Sequence, residues 1–381
     1  MSFSAPDAFK HARQQSDHVE VEIGDETISM LLTYRGVRAA AQNWQDYSSD
    51  APFRVPIPSE ESERSVRQLP IETDPPQHRP YRALLEPIFR RPMQADYLDK
   101  LESLVRAALQ IGLRESEIEI VRDLALPLQS RALALLLGVP QTETETWIGW
   151  GTHVFHDGDD SEQKGADLET YLVRAIEAGA DGKDPENFFT ALHLFELGGR
   201  SLTDAEKLGM ANLVFAGGRD TVINTITFLV AHFAQHPNAL REVSEGARSI
   251  NLAVEESVRV VSPLTQIGRV CTRGNQALNR AVGDRISLCW AAANYDPEVF
   301  KTPEQIDLAR APNPHVGFGS GHHACLGAMQ ARALLRSFIR NLSDLVSGIE
   351  ILRATPATEE YGPMWRTVGY DRLTARLTEK S

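Results

Sequence analysis

The chain has 381 residues, of which 42% are hydrophobic and 24% charged, and its formal net charge is −13 at pH 7. This composition is typical of a soluble globular protein with a large core, and the acidic balance argues against nucleic acid as a partner. Three cysteines give no disulfide framework, and Met1 to Gln15 contain no apolar segment, so we expect a cytoplasmic protein with neither signal peptide nor membrane anchor.

The predicted secondary structure is mainly α with a minor β portion. Alternating apolar residues between 18 and 35 predict a β-hairpin that turns at Gly24-Asp25-Glu26, and the Pro- and Ser-rich stretch 51–70 predicts a long loop. Helical patterns follow at 78–90, 95–113, 120–138, 142–155, 165–179, 186–197, 203–235, 252–260 and 326–340. Strand-like and irregular pieces dominate after residue 261, and 360–377 predicts a terminal β-hairpin.

The predicted helix 203–235 is apolar on nearly all of its faces, which indicates a buried helix. It contains the run Ala216-Gly217-Gly218-Arg219-Asp220-Thr221. Two glycines in a helix interior cost about 1 kcal/mol each relative to alanine, but they let the helix widen and let a flat ring or a diatomic ligand approach its backbone. A pair of packing glycines followed by a capping-type Asp and Thr is the structural alternative.

The run Phe318-Gly319-Ser320-Gly321-His322-His323-Ala324-Cys325-Leu326-Gly327 places Cys325 between a glycine-rich loop and a predicted helix. Unpaired N–H groups and the helix dipole favour a thiolate at this position, and the glycines let a flat ligand approach. A thiolate that faces a planar ligand suggests haem iron.

Two other interpretations of Cys325 remain. A free cysteine is most often a small buried hydrophobe. A zinc site of His322, His323 and Cys325 is a poor alternative, because structural zinc needs four ligands and Cys271 and Cys289 lack the usual paired spacing.

The cysteine run matches the ligand loop Phe-Gly-x-Gly-x-His-x-Cys-x-Gly of the cytochrome P450 family, and Ala216 to Thr221 matches that family's distal helix. The chain resembles this family over roughly residues 30 to 375. The resemblance implies a cytochrome P450-like fold in a single domain, 1–381, with haem b bound through Cys325 and with Phe318 and Gly327 beside it. It also implies that Thr221 and Asp220 deliver protons through ordered water.

The resemblance extends to residues that hold the haem propionates. Asp74-Pro75-Pro76-Gln77-His78 and Arg82 are similar to the family's Asp-Pro-Pro-x-His-x-x-x-Arg segment, and Arg269 and His323 occupy matching positions. His78 and Arg82 are spaced i, i+4 and therefore share one helix face.

Two further segments are similar to the family. Glu256 and Arg259 match its Glu-x-x-Arg pair, which implies a buried structural network, although the pair alone is a weak signal. The stretch 294–300 resembles Ala-Asn-Arg-Asp-Pro-x-x-Phe but has Tyr295 where arginine is usual, which puts one supporting contact in doubt.

The implied activity is that of a soluble bacterial monooxygenase acting on a small, mostly apolar substrate, by hydroxylation or oxidative dealkylation. The expected pocket walls, besides the 51–70 loop and Met364, are Phe215, Gly218, Leu264, Ile267 and Trp365. The chain has no Gly-x-Gly-x-x-Gly motif, so electrons are expected from a separate ferredoxin (2Fe-2S) with its reductase, or from a flavodoxin. The expected docking cations are Arg79, Arg82, Arg332 and Arg336.

Two rival functions remain open. A non-catalytic haem-thiolate sensor or ligand carrier would not need the acid and hydroxyl of Asp220 and Thr221. A peroxide-driven enzyme would be expected to carry a carboxylate and an arginine in place of the alcohol.

Overall fold

The computed structural model describes residues 6–24, 26–152, 161–246 and 248–380. The helices are α1 (Lys10–Gln15), α2 (Tyr34–Gln42), α3 (His78–Phe89), α4 (Ala95–Arg114), α5 (Leu126–Leu137), α6 (Thr144–Gly149), α7 (Ser161–Gly179), α8 (Phe188–Leu194), α9 (Asp204–Gly217), α10 (Asp220–Gln235), α11 (Pro237–Ser244), α12 (Ile250–Val261), α13 (Trp290–Ala293) and α14 (Ala328–Leu345). The strands are β1 (His18–Ile23), β2 (Glu26–Leu31), β3 (Tyr47–Ser48), β4 (Ile118–Glu119), β5 (Glu196–Leu197), β6 (Arg200–Ser201), β7 (Gln266–Cys271), β8 (Arg285–Cys289), β9 (Val346–Tyr361) and β10 (Met364–Glu379).

The strands form three sheets at the margins of a helical body. A five-stranded sheet has the order β1-β2-β8-β7-β3, a three-stranded sheet has the order β4-β10-β9, and β5 pairs with β6 alone. The predicted first hairpin is present as β1 and β2, with Val21 opposite Ile28, although Asp25 of its turn lies outside the described residues.

The largest hydrophobic cluster unites the helices from α3 to α12 with α14. Helix α10 lies inside it, with Ile226, Phe228 and Leu229 fully buried. Two smaller clusters join the five-stranded sheet to α2 and to the N-terminal segment. The mainly α class with a minor β portion is therefore confirmed.

The predicted helix 203–235 is interrupted. Helix α9 ends at Gly217 and α10 begins at Asp220, so the break falls at Gly218 and Arg219. The start of α9 is fixed by Thr203, whose side chain accepts from the Glu206 N–H while the Glu206 side chain accepts in return. Within the described ranges, only the stretch Asp204–Gln235 is long and apolar enough to cross a membrane, and two thirds of its apolar window is buried in the protein, as in a core helix.

Further predicted elements differ from the observed ones. The predicted helix 120–138 opens as a π-helix over Ile120–Ala125, because Pro127 in the first turn of α5 has no N–H to continue a regular ladder. The predicted helix 142–155 is shorter, since α6 ends before Gly151, whose φ is +73°, and 153–155 lie outside the described residues.

The C-terminal hairpin is longer than predicted. Its strands β9 and β10 have 16 residues each, and the turn stands at Gly362, where the prediction placed the start of the hairpin. The 51–70 loop contains no helix or strand, as expected from its sequence.

Candidate active site

The interrupted helix presents one accessible face inside an otherwise buried element. Leu213, Ala216, Gly217, Asp220 and Thr221 keep accessible surface, whereas their helical neighbours are mostly buried. Leu213, Ala216 and Gly217 recur every three to four residues within α9 and therefore share one side of that helix. Asp220 and Thr221 extend this accessible surface beyond the break, in the first turn of α10. We call these five residues the open face; it carries the acid and the hydroxyl that the sequence singled out.

The cysteine loop is shaped by two glycines with positive φ. Gly319 has φ +72° and Gly321 has φ +76°, and a Cβ on Gly321 would lie 2.5 Å from the carbonyl oxygen of Ala41. The Cys325 N–H donates to the Phe318 carbonyl at 2.8 Å and closes the loop. Helix α14 begins at Ala328, two residues later than predicted, and packs against α10.

Cys325 keeps a large accessible surface although protein surrounds it on most sides, which is expected of a side chain that faces an internal space. Burial raises the pKa of its thiol. Backbone hydrogen bonds from Gly327 and Ala328 and the charges of Arg82 and Arg332 oppose this rise. The start of α14 therefore favours a thiolate, as the sequence predicts.

Three imidazoles meet beside the cysteine loop. The ring of His78 lies 4.4 Å from that of His323 and 6.3 Å from that of His322, centroid to centroid. Burial lowers the pKa of His78 to about 4, and burial with nearby Arg269 lowers that of His323 further. The Nε2 atoms of all three are buried and find no hydrogen-bond partner among the described residues. We call this set the histidine cluster. His322 occupies a variable position of the motif, and the sequence suggested it only as a zinc ligand.

Arg269 is a second unusual cation. It is 2% exposed, and Nη1 donates to the adjacent Gly268 carbonyl at 2.7 Å. Burial lowers the pKa of its guanidinium to about 10, with only partial compensation from Asp74. A buried arginine without a bonded carboxylate is costly unless an anion completes the site.

Arg82 contacts the backbone of the cysteine loop. Its Nη1 donates to the carbonyls of His322 at 3.3 Å and Ala324 at 2.9 Å, and its Nε lies 3.6 Å from Glu86. The side chain therefore ties α3 to the cysteine loop.

The residues present fit the haem that the resemblance implies. Three buried imidazole nitrogens and the guanidinium of Arg269 are the donors that two propionates need. Cys325 would offer a sulfur ligand to the iron, and the glycine backbone of the loop leaves room for a flat ring. The zinc alternative lacks such support, since no three His, Cys, Asp or Glu side chains converge as metal ligands within the described ranges.

Phe318 is held by a neighbouring arginine. The Arg332 guanidinium lies 4.3 Å from the centroid of its ring and makes two hydrogen bonds to Glu255, at 2.7 and 2.8 Å. Glu255 also contacts His315 at 3.0 Å. Arg332 is thus engaged beneath the loop, although its side chain stays 33% exposed, and its role in docking a partner stays a prediction.

Glu256 and Arg259 form a fully buried ion pair, with Nε–Oε2 and Nη2–Oε1 distances of 2.8 Å. Sequence analysis missed the rest of this network. Arg310 donates to Glu256 at 3.0 Å and Asn313 donates at 3.1 Å, while Arg259 donates to the Asn294 carbonyl at 2.9 Å. Tyr295, at the position where arginine is usual, lies 5.2 Å from the Arg259 guanidinium, measured to its ring centroid.

The structure differs at the two predicted pocket residues near the break, Phe215 and Gly218. Phe215 is fully buried against Trp147, with ring centroids 4.9 Å apart, so it presents no surface to any accessible cavity. A Cβ on Gly218 would meet Leu133 of α5 at 3.3 Å, whereas Gly217 has open space around it. Gly217 therefore lies on the open face, and Gly218, which keeps some accessible surface, stays a predicted pocket residue beside it.

The remaining pocket candidates lie near the hairpin turn. Leu264 is 43% exposed and Trp365 is 58% exposed, whereas Ile267 is 8% and Met364 is 9% exposed. Arg366, next to Trp365, donates to the carbonyls of Val261 and Ser262 and so brings the hairpin beside Leu264.

A buried ionic network organises the 51–70 loop. Arg64 pairs with Glu60 at 2.6 Å and with Glu72 at 2.5 Å, and Glu72 also accepts from the N–H groups of Phe53 and Gln68. The Gln68 side chain donates to Asn212 of α9 at 2.8 Å. The loop is thus fixed to the interrupted helix, which the sequence did not reveal because charged residues in a loop are usually solvated.

Comparisons with known proteins agree with this geometry. The family model described as Cytochrome P450 matches residues 156–342. A probable cytochrome P450 127A1 of Sinorhizobium fredii is 30% identical over 76% of this chain and 70% of its own length, and a biotin biosynthesis cytochrome P450 of Bacillus subtilis is 29% identical over 74% and 76%. A solved structure described as a carbohydrate active P450 is 41% identical and superposes with a TM-score of 0.96 over 100% of both chains.

Proposed function

The chain belongs to the cytochrome P450 family, a haem b monooxygenase family, and on that premise we propose that its substrate is a small carbohydrate or carbohydrate derivative. The reaction adds one atom of O2 to a C–H bond of the substrate, and two electrons and two protons convert the second atom to water. Where the oxidised carbon belongs to an ether, the product loses that alkyl group.

The bound haem supplies the activation of O2, for which no side chain has the chemistry. Cys325 would hold the metal through its sulfur, and the N–H groups of Gly327 and Ala328 would stabilise the thiolate. The histidine cluster and Arg269 would bind the propionates, and Arg82 would hold the cysteine loop in place.

Asp220 and Thr221 would move protons on the open face. Both keep accessible surface at the first turn of α10, where a carboxylate and a hydroxyl can hold a water molecule and pass a proton along it. Asp220 also stabilises the N-terminus of α10 by its charge, which is the purely structural role it could have. These two residues favour an enzyme over a non-catalytic sensor.

The carbohydrate proposal rests on one observation, the 41% identity over the full length to the carbohydrate active P450. Other relatives act on different molecules by their descriptions, for example the steroid C26-monooxygenase of Mycolicibacterium smegmatis, which is 27% identical. A small apolar substrate is the second candidate, because Leu264 and Leu213 present apolar surface.

A spectral titration separates the two candidates. The purified haem protein is titrated with monosaccharides and disaccharides, with and without O-alkyl ethers, and in parallel with terpenoids, aromatic ethers and fatty acids. We expect the haem band to shift on saturation with a carbohydrate, because a ligand beside the haem changes its surroundings. A shift with apolar compounds only would replace the carbohydrate proposal by the second candidate.

The electron donor is proposed to be a small acidic ferredoxin or a flavodoxin acting in the cytoplasm on this single-domain enzyme. Arg332 and Arg82 make hydrogen bonds within the protein, so Arg79, which is exposed, and Arg336, which is partly exposed, are the first of the four predicted cations to test. Complementary charge would steer the donor despite the net charge of −13.

A further inference from the structure

Two side chains tie the break between α9 and α10 to neighbouring helices: Gln129 reaches in from α5, and Arg219, within the break, reaches out to the end of α6. A break removes regular helical hydrogen bonds and leaves backbone groups that need other partners. The Gly218 carbonyl, at the break, accepts from the side-chain amide of Gln129. Gln129 belongs to α5 and is 4% exposed, so this contact lies inside the core.

Arg219 makes the second contact. Its side chain is 3% exposed, and Nη2 donates to the Trp147 carbonyl at 2.9 Å and to the Gly151 carbonyl. Its guanidinium lies 5.5 Å from the centroid of the Trp150 ring. These partners stand at the end of α6 and just beyond it, where helix carbonyls lack intrahelical donors.

The cost of this arrangement points to a role beyond packing. The Nε and Nη1 atoms of Arg219 are buried and have no hydrogen-bond partner among the described residues, and the same holds for Oε1 of Gln129. Burial lowers the pKa of the Arg219 guanidinium. An apolar side chain would fill the same space at lower cost.

The geometry of the break sets the direction in which the Asp220 and Thr221 side chains point. Asp220 and Thr221 are the first two residues of α10, and no side chain caps the helix at Arg219, whose φ and ψ are −112° and −78°. A helix rotates about 100° per residue, so closing or widening the break by one residue would turn both side chains away from their present direction.

We infer that Gln129 and Arg219 are positioning residues that clamp the break open and thereby aim Asp220 and Thr221 at the site of proton delivery. This inference rests on the proposed monooxygenase activity, because the clamp's role would be to keep the consumption of electrons coupled to the formation of product. Neither residue needs to touch substrate or haem.

The test uses the haem-loaded enzyme and the variants Arg219→Met, Arg219→Lys and Gln129→Leu. The first readout is the C–O stretching band of the carbon monoxide complex, which reports polar groups beside the bound gas and does not depend on turnover. The second is product formed per electron consumed, with hydrogen peroxide measured as the waste product. Arg91→Met is the matched control, since Arg91 donates to the Leu136 carbonyl at the end of α5 at 2.6 Å, remote in sequence from the break.

We expect Arg219→Met and Gln129→Leu to shift or broaden the C–O band and to lower product per electron by about tenfold. This loss is smaller than the rate gain of about 10²- to 10⁴-fold that a positioned proton-transfer group typically gives. Arg219→Lys should recover part of the loss, because an ammonium can still reach one carbonyl. Arg91→Met should leave both readouts unchanged even where it lowers the melting temperature.

A double variant decides whether the clamp acts through Thr221. The double variant of Thr221→Ala and Arg219→Met should form as much product per electron as Thr221→Ala alone, because the effects of substitutions in residues that act as a unit are not additive. Additive losses, or an unchanged C–O band and coupling in both clamp variants, would overturn the inference. If Arg219→Met does not fold, Arg219→Lys and Gln129→Leu carry the same test. A wild type that forms no product from any compound refutes the proposed activity, whereas the C–O band still decides on the clamp.

Discussion

The three cysteines of this chain have different surroundings. Cys271 and Cys289 are buried, and burial raises the pKa of their thiols to about 11 and about 12. Cys325 alone among them faces accessible space, and it receives the backbone N–H groups of Gly327 and Ala328, whereas the buried Cys289 receives one, from Ala292. Only this cysteine is suited to bind iron as a thiolate.

We expect Cys325→His to abolish the strongly red-shifted Soret band of the reduced carbon monoxide complex, because a neutral imidazole cannot donate as a thiolate does. Absorption spectroscopy of the reduced protein under carbon monoxide measures this. Cys271→Ala is the control and should keep the band. A red-shifted band in Cys325→His would mean that another residue ligates the iron.

At the residue scale, sequence reasoning reached the residues that lie within short motifs. Cys325, His78 and Glu256 could be singled out because their neighbours along the chain identify them. Gln129 and Asn313 could not, because each acquires its role from a partner far along the chain, as Gln129 does from Gly218, 89 residues away. Single polar residues in a sequence are most often solvated, so only the fold distinguishes these.

At the element scale, the 51–70 loop shows how a segment without regular structure becomes fixed. The carboxylate of Glu72 is fully buried and accepts hydrogen bonds from Arg64, Phe53 and Gln68. Local sequence predicts the absence of helix and strand here, since prolines and charges interrupt both patterns. It does not predict the network, because that depends on burial of the loop against α9.

Glu72→Gln should destabilise this loop strongly. Removing one partner of a buried ion pair costs about 3–5 kcal/mol. In this variant the buried guanidinium of Arg64 keeps only Glu60 as a charge partner. We expect a clear fall in the melting temperature and faster limited proteolysis within 51–72.

A surface pair serves as the control. Asp50→Asn removes the partner of Arg67, and both side chains of that pair are partly exposed, 58% and 34%. Exposed pairs contribute about 0–1 kcal/mol, so this variant should behave almost as wild type. Equal proteolysis rates for Glu72→Gln and Asp50→Asn would show that the buried network does not fix the loop.

At the scale of the whole molecule, the fold class was predictable and the sheet topology was not. Helical periodicity and two motifs in the right order identify the family and, through it, the mainly α architecture. The parallel pairing of β2 with β8 joins Ser29 to Ile286, and nothing local in either strand specifies a partner at that distance. The interruption of the long helix was also missed, because two glycines are compatible with a continuous helix as well as with a break.

Stability of the whole molecule should fall in mild acid, and His232 provides a measurable part of this effect. The side chain is 7% exposed at the end of α10, and its ring stacks on Phe228 with centroids 5.6 Å apart. Burial lowers the pKa of His232 to about 4, and the charges of His236 and Arg248 act in the same direction. The imidazole is therefore neutral in the folded protein at neutral pH.

The sign of the pH effect follows from proton uptake. Between pH about 6.5 and about 4 the unfolded chain binds a proton at His232 and the folded protein does not. The contribution of the neutral imidazole to the unfolding free energy is therefore fully present above about pH 6.5 and is lost as the pH falls towards 4. At about 1.4 kcal/mol per pKa unit the loss is at most about 3 kcal/mol.

We expect His232→Gln to reduce the number of protons taken up on unfolding in this pH window by about one, which lowers the slope of the unfolding free energy against pH. Urea unfolding at a series of pH values measures this slope. His11→Gln, an exposed histidine on α1, should leave the slope unchanged, and an unchanged slope in His232→Gln would show that another group takes up the proton.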